Sequence, residues 1–127
     1  MKTKREALTD AELSVMEVLW DRPNGETVRD LVLAIYGRHE HSLHGGVKSF
    51  LDRLMEKGYV RVDKTEFAHR FFAVVSREET VGSQLMQIAE SHFGGALTPM
   101  LLTLIKNAKL KPKDRAEIER LIRHIQE

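Results

Sequence analysis

The chain has 127 residues, of which 42% are hydrophobic and 31% are charged, so it can form one compact domain or a small domain with an appendage. It contains no cysteine, which excludes disulfides and thiolate metal sites, and its net charge of only +1 does not single out a nucleic-acid partner. No apolar run is long enough to cross a membrane, and the basic N-terminus is not followed by the apolar core of a signal peptide. We therefore expect a cytoplasmic protein.

The first predicted helix begins at a capping sequence. Thr9 can accept a hydrogen bond from the backbone of the first turn, and Glu12, three residues later, can accept one from the Thr9 N–H. Residues 22–25, with the sequence Arg-Pro-Asn-Gly, end the helix. We assign its apolar stripe to the core and expect no chemistry from this helix. The stripe comprises Leu13, Met16, Leu19 and Trp20.

A second capping residue, Thr27, starts the next predicted helix, which ends at Gly37. Just before it, Glu26 and Thr27 predict a short strand that pairs with a later ribbon. Residues 38–43 are polar and turn-like, and they lead into a third helix. The buried stripe of the second helix comprises Val28, Leu31, Val32 and Ile35.

The third predicted helix starts near His44 and has one apolar and one polar side. Lys57 followed by Gly58 suits its C-terminal end. Two strand-like segments, residues 59–64 and 71–75, then form a hairpin with a basic tip. A helix that packs one face and presents the other, next to a hairpin, is typical of a winged helix. The apolar side carries Val47, Phe50, Leu51, Leu54, Met55 and Gly58, and the polar side carries Ser49, Asp52, Arg53 and Glu56, with Lys48 on its flank.

After residue 75 the pattern indicates only helices, so the predicted fold is mainly α with a small β-ribbon. We predict a winged helix-turn-helix domain over residues 1–76 and a C-terminal three-helix dimerisation region over residues 77–127. Three short helices cannot bury their apolar faces well alone, and a second copy of the chain is the economical partner. The alternative is that they pack on the winged domain of the same chain. The predicted dimerisation residues are Leu85, Ile88, Phe93, Leu97, Met100, Leu101, Leu104, Ile105, Ile118, Leu121, Ile122 and Ile125.

Charge supports double-stranded DNA as a partner only locally, because residues 42–77 hold seven Lys or Arg against four Asp or Glu. We expect the third helix to face bases and adjoining phosphates and the hairpin tip to touch phosphate or the minor groove. The alternative is a winged helix that binds a partner protein through the same helix face. The predicted DNA-binding residues are His44, Gly45, Gly46, Lys48, Ser49, Arg53, Lys64, His69 and Arg70.

A histidine cluster is the one candidate for a metal site, and it consists of His39, His41 and His44. Imidazoles in a loop can converge on zinc or copper, but this spacing matches no familiar ligand pattern. We predict no metal and no cofactor, and leave a metal-responsive variant as an alternative. The sequence also lacks a phosphate-binding glycine loop and a nucleophile with an evident base, so we predict no enzyme activity.

Three stretches of the chain resemble the penicillinase-repressor family of BlaI, MecI and CopY type. They are residues 8–13 (Leu-Thr-Asp-Ala-Glu-Leu) with Met16, Leu19 and Trp20, residues 50–60 (Phe-Leu-Asp-Arg-Leu-Met-Glu-Lys-Gly-Tyr-Val) with Val47, and residues 95–102. The resemblance implies a dimeric repressor that binds a palindromic operator through its winged helix and dimerises through its C-terminal helices. It also implies a regulatory protease or sensor as a partner in the β-lactam branch.

This chain departs from the family pattern at three places. Gly45 and Gly46 stand where the family usually has polar residues at the start of the recognition helix, and glycines in a first helical turn cost roughly 1 kcal/mol each relative to alanine. They also let the helix N-terminus approach a phosphate closely. The cysteines of the copper branch are absent, and Thr103-Leu104 replaces the cleavage site of the β-lactam branch. Neither sensing chemistry is therefore carried over.

Overall fold

The computed structural model describes residues 5–125, and the chain divides between Gln84 and Leu85 into two units. The helices are α1 (Asp10–Trp20), α2 (Val28–Tyr36), α3 (His41–Glu56), α4 (Arg77–Phe93), α5 (Leu97–Asn107) and α6 (Pro112–Ile125), and the strands are β1 (Val60–Asp63) and β2 (Arg70–Ala73). This order confirms the predicted fold class, a winged helix-turn-helix followed by C-terminal helices. Within residues 5–125, no helix has both the length and the apolar character needed to span a membrane.

The predicted capping box of α1 is confirmed. The Thr9 hydroxyl accepts a hydrogen bond from the Glu12 N–H at 3.2 Å, and a Glu12 carboxylate oxygen accepts one from the Thr9 N–H at 2.9 Å. Two backbone donors that a helix start leaves unpaired are thereby satisfied. The helix then buries Val15, Met16 and Leu19 in the core of the first unit.

The turn between α2 and α3 is short because Gly37 ends α2 in the left-handed conformation, with φ of 74°. The expectation that residues 38–43 form a turn is wrong for its last three residues, since α3 already begins at His41. Glu40 is the extended N-cap, and its carbonyl accepts the first helical bond from the His44 N–H at 3.1 Å. No side chain caps this start, so the sequence pattern of capping did not reveal it. As a consequence, Gly45 and Gly46 lie in the second turn of α3 rather than the first.

A single core holds the three helices and the ribbon of the first unit together. The apolar side of α3 is the one predicted, with Val47, Leu51 and Leu54 buried. The core comprises Val15, Met16, Leu19, Val28, Leu31, Val32, Val47, Leu51, Leu54, Tyr59, Val60, Phe71 and Val75. The three core residues of α3 lie on one side of the helix, so its opposite, polar side faces solvent.

The ribbon is an antiparallel pair in which Val60 lies opposite Ala73 and Asp63 opposite Arg70. β1 is one residue shorter than predicted at each end, and β2 begins one residue earlier, at Arg70, and ends two residues earlier than predicted. Beyond the strands, the Val74 N–H still donates to the Tyr59 carbonyl at 2.9 Å. The predicted pairing of Glu26 is confirmed: it exchanges two backbone bonds with Phe71, at 3.0 and 2.9 Å. This bridge joins the entrance of α2 to the wing.

Candidate nucleic-acid interface

The solvated face of α3 presents Lys48, Ser49, Asp52 and Glu56. These positions recur every three to four residues, so they lie on the side opposite the buried stripe. The Lys48 ammonium binds the Asp52 carboxylate, one turn later, at 2.6 Å. Both side chains are about half exposed, and exposed ion pairs of this spacing contribute only about 0.3–0.5 kcal/mol. Lys48 is therefore available to a stronger anionic partner.

A buried carboxylate fixes the C-terminal half of α3 against the start of α1. Glu12 is completely buried, and its oxygens accept bonds from the Lys57 ammonium at 2.7 Å and from the Arg53 guanidinium at 3.4 Å. Lys57 also donates to the Ala7 carbonyl at 3.0 Å. Together with the Thr9 N–H, these donors occupy both oxygens of Glu12. We call this set of residues, Thr9, Glu12, Arg53 and Lys57, the Glu12 clamp.

Two opposing effects act on the pKa of Glu12. Burial raises it, but the hydrogen bond and charge of Lys57, with the bonds from Thr9, outweigh burial and leave the pKa below its ordinary value of 4.5. The carboxylate is thus charged in the folded protein at neutral pH. A movement of α3 away from α1 would separate Glu12 from Arg53 and Lys57 and leave a buried charge without its partner, which is costly. The Glu12 clamp therefore fixes the orientation of α3 relative to the first turn of α1.

The segment before α1 also lies along the end of α3. The Tyr59 hydroxyl donates to the Glu6 carbonyl at 2.6 Å, and burial raises the pKa of this phenol. The Arg5 guanidinium donates to the Gly58 carbonyl at 3.1 Å. Residues 5–9 therefore support the same end of α3 that the Glu12 clamp holds.

The predicted histidine cluster is only partly brought together. The His39 Nε2 and His44 Nδ1 atoms are 3.4 Å apart, and the two rings meet edge to face. His41 is exposed and joins no such contact. In the described part of the chain, no three His, Cys, Asp or Glu side chains form a group that could hold a metal ion. His44, Gly45 and Gly46 share the N-terminal turns of α3 with this pair.

The wing has a fixed base and an open tip. At the base, the Arg70 guanidinium donates to the Gly25 carbonyl at 3.1 Å, so this predicted DNA-binding residue anchors the wing to the loop before α2. Near the tip, the Asp63 carboxylate accepts bonds from the Thr65 N–H at 2.9 Å and hydroxyl at 2.7 Å, and these bonds hold the pKa of Asp63 below its ordinary range. Lys64 and His69 are exposed and pair with nothing among residues 5–125.

The second unit carries apolar side chains that its own helices do not cover. Of the predicted dimerisation residues, Met100 is buried within the single chain at 6% exposure, and Phe93 and Ile118 are half-buried. The other nine range from 41% to 71% exposed. They are Leu85, Ile88, Leu97, Leu101, Leu104, Ile105, Leu121, Ile122 and Ile125.

Residues 8–124 match the family model described as penicillinase repressor. The chain belongs to the penicillinase repressor family. Two curated relatives, each named transcriptional regulator BlaI, come from Mycobacterium tuberculosis strains H37Rv (ATCC 25618) and CDC 1551 (Oshkosh). Each is 29% identical to this chain over 100 residues, which cover 78% of this chain and 72% of the relative.

Sequence reasoning missed the Glu12 clamp in this penicillinase repressor family member. The capping box was visible because Thr9 and Glu12 are three residues apart. The bonds to Arg53 and Lys57 span 41 and 45 residues, so no local pattern could predict them. The available signal was the helical spacing: Glu12 lies three, four and seven residues before Val15, Met16 and Leu19, so it shares their helix face. A carboxylate buried on that face requires a cation.

Proposed function

We propose that this protein represses transcription by binding a two-fold operator in duplex DNA as a homodimer. Membership of the penicillinase repressor family makes the chain a transcriptional regulator of that type. The observation that carries the proposal is the exposed polar face of α3, which is held by the Glu12 clamp at one end and packed by its apolar side on the core. An α-helix presented in this way fits the major groove.

In this proposal, Lys48 and Ser49 contact base edges or the phosphates next to them. Lys48 exchanges its weak pair with Asp52 for an acceptor on DNA, and Asp52 is then able to accept a bond from a cytosine amino group. Arg53 remains 47% exposed although it binds Glu12, so one edge of its guanidinium can still reach a phosphate. Its first role is to position α3.

The second turn of α3 supplies a second kind of contact. Gly45 and Gly46 present no side chain, and nothing lies within 4 Å of where a Cβ would be. A phosphate can therefore approach the helix backbone closely at this point. The exposed Lys64 and His69 of the wing would contact the phosphates of an adjacent groove, while Arg70 keeps the wing in place.

We assign DNA binding to residues 1–76 and dimerisation to residues 77–127. The exposed apolar side chains of α4, α5 and α6 support this division, because large apolar side chains that are exposed in number commonly mark an interface. A two-fold dimer places two α3 helices on half-sites about one helical turn of DNA apart. A palindromic operator follows from that symmetry.

The test is a mobility shift of the purified chain with DNA from upstream of its own gene, repeated over a series of salt concentrations. We expect the logarithm of the affinity to fall linearly with the logarithm of the salt concentration, with a slope set by the number of phosphates contacted. Unrelated DNA should compete poorly at every salt concentration. Absent binding at low salt, or equal competition by bulk DNA, would instead favour the protein-interaction winged helix.

Two lysine variants distinguish contacts to base edges, which determine sequence specificity, from contacts to phosphates, which do not. Lys48→Ala should cost roughly tenfold in affinity for the best operator and narrow the difference between operator variants. Lys64→Ala should weaken binding to all sequences about equally and lower the salt slope by about 1. If the two variants behave alike in a competition series, the polar face of α3 does not read bases.

A further inference from the structure

One aromatic side chain of the first unit lies wholly in water. Phe67 is 105% exposed, at the apex of the wing loop between β1 and β2. The other exposed large hydrophobic residues in the described part of the chain range from 40% to 71%. Two aromatic neighbours in β2 are covered, since Phe71 is buried and Phe72 lies beneath the Arg61 guanidinium at 4.1 Å. Phe67 therefore contributes nothing to the core and has no role in holding the wing together.

The loop nevertheless presents Phe67 from a well-supported base. Asp63 binds the backbone and hydroxyl of Thr65 on one side of the apex, and Arg70 binds the Gly25 carbonyl on the other. A side chain on a fixed loop loses less entropy on binding than one on a mobile segment. Contact with a partner is then favoured.

The charges around the ring identify the partner. Lys64 and His69, which flank Phe67 in the loop, are exposed and pair with nothing in residues 5–125. Of the two nearby acidic groups, Asp63 binds Thr65, whereas Glu66 is 72% exposed and makes only a long pair with Arg70 at 3.8 Å, so the Glu66 side chain is able to turn away from an anionic partner. An apolar ring between unpaired cationic or donor groups matches a polyanion that also offers an apolar surface. Duplex DNA offers both, as phosphates on either side of the minor groove and stacked bases at its floor.

We infer that Phe67 enters the minor groove and wedges against a base step, with Lys64 and His69 on the flanking phosphates. This inference rests on the proposed DNA-binding function and extends it. Apolar side chains inserted in this way partly unstack the step and bend the duplex. Steps that unstack easily, such as pyrimidine–purine steps, should then be preferred beneath the wing. The wing would add sequence preference at positions that α3 does not touch.

The test uses the full chain and the upstream DNA that it binds best, with 2-aminopurine placed at successive positions across each half-site. We expect the wild-type protein to raise 2-aminopurine fluorescence at one step beneath the wing. Phe67→Ala should abolish that rise and weaken binding roughly tenfold, with the salt slope unchanged. Phe67→Leu should keep part of both effects. Lys64→Ala is the matched control, which should retain the fluorescence rise and lose about one unit of salt slope.

The outcomes distinguish this inference from the proposed function. If the wild-type chain binds its DNA but Phe67→Ala matches it in affinity and fluorescence, the wedge is overturned and the repressor function stands. The inference would also be overturned if Phe67→Ala lost tenfold in affinity but the wild-type protein raised 2-aminopurine fluorescence at none of the DNA positions. The ring would then contact only the sugar-phosphate backbone. If the wild-type chain binds no DNA, both proposals fail. Since Phe67 is fully exposed, its variants should unfold at the wild-type temperature, which circular dichroism verifies.

Discussion

The Glu12 carboxylate makes three polar contacts, to the Thr9 N–H, Arg53 and Lys57, although its side chain is completely buried. We expect Glu12→Gln to lower the free energy of unfolding by about 2 kcal/mol at pH 7, because Lys57, with only 15% of its side chain exposed, is left beside a neutral group. The figure lies below the usual loss for a fully buried pair since Arg53 is 47% exposed and can turn to solvent. Urea unfolding at one protein concentration measures the change.

Glu17 provides the matched control for this substitution. It also lies on α1 and binds the Arg77 guanidinium at 2.9 Å, but both side chains are about half exposed. Glu17→Gln should therefore change the free energy of unfolding by less than about 0.5 kcal/mol. If the two substitutions changed the free energy of unfolding equally, the buried Glu12 clamp would contribute no more to stability than an exposed ion pair.

The same carboxylate predicts a dependence of stability on pH. The folded pKa of Glu12 lies below its ordinary value of 4.5, so the unfolded chain takes up the proton more readily. Its contribution to stability is therefore present above about pH 4.5 and is lost as the pH falls through the folded pKa. The difference in unfolding free energy between wild type and Glu12→Gln should shrink below pH 4.5. A difference that stays constant from pH 7 to pH 3 would contradict this assignment.

At this scale, the sequence reveals interactions that are local and conceals those that are not. The Thr9–Glu12 bonds follow from a three-residue spacing, and the left-handed Gly37 follows from its place after an apolar stripe. The cationic partners of Glu12 are Arg53 near the end of α3 and Lys57 just after it, and only the packed fold brings them to Glu12. The fully exposed Phe67 was equally hidden, because an aromatic residue in a turn between two strands is compatible with burial or exposure.

At the scale of elements, α3 shows why its buried face was predictable and its start was not. Burial follows helical periodicity, which Val47, Leu51 and Leu54 display plainly. The start of a helix is signalled by a capping side chain, and the Glu40 side chain makes no such bond. Three further residues extend the helix before the glycines, so Gly45 and Gly46 are interior helical positions with the cost that glycine carries there.

Because Gly45 and Gly46 are interior helical positions, we expect their substitution by alanine to raise stability and to weaken DNA binding. Gly45→Ala and Gly46→Ala should each raise the free energy of unfolding by about 0.5–1 kcal/mol, because each has negative φ and an added Cβ meets nothing within 4 Å. Both should weaken DNA binding, since the methyl group keeps a phosphate from the helix backbone. Thermal unfolding and mobility shifts measure the two effects.

Gly82 is the matched control for the glycines of α3. It lies inside α4, where an added Cβ also meets nothing within 4 Å. Gly82→Ala should stabilise the protein by a similar amount and leave DNA affinity unchanged. If all three alanine variants bind DNA as the wild type does, the second turn of α3 does not lie against the phosphate backbone.

At the scale of the whole molecule, the two units differ in how completely they bury their apolar residues. The first has a continuous core of thirteen side chains, whereas α6 has no buried residue and α5 has only Met100. The stripes on these helices were predictable from periodicity. The surface that packs against these stripes was not predictable, because a single sequence does not show whether a second copy or another part of the same chain covers them.

The proposed dimer predicts that a charge placed on this uncovered surface separates the two copies. Leu104→Asp and Ile122→Asp, at side chains that are 52% and 48% exposed, should each shift the mass in light scattering from dimer to monomer. The monomers should keep the circular dichroism of a folded winged helix, because neither residue belongs to its core. Leu33→Asp, at a similarly exposed leucine of α2, is the control and should remain dimeric.

A monomer contacts only one half-site, so it should bind the operator on the order of a hundredfold more weakly than the dimer, because the effective concentration of the second winged helix is lost. Folded dimers that survive both substitutions would place the interface elsewhere, whereas monomers with undiminished operator affinity would show that one winged helix suffices for binding.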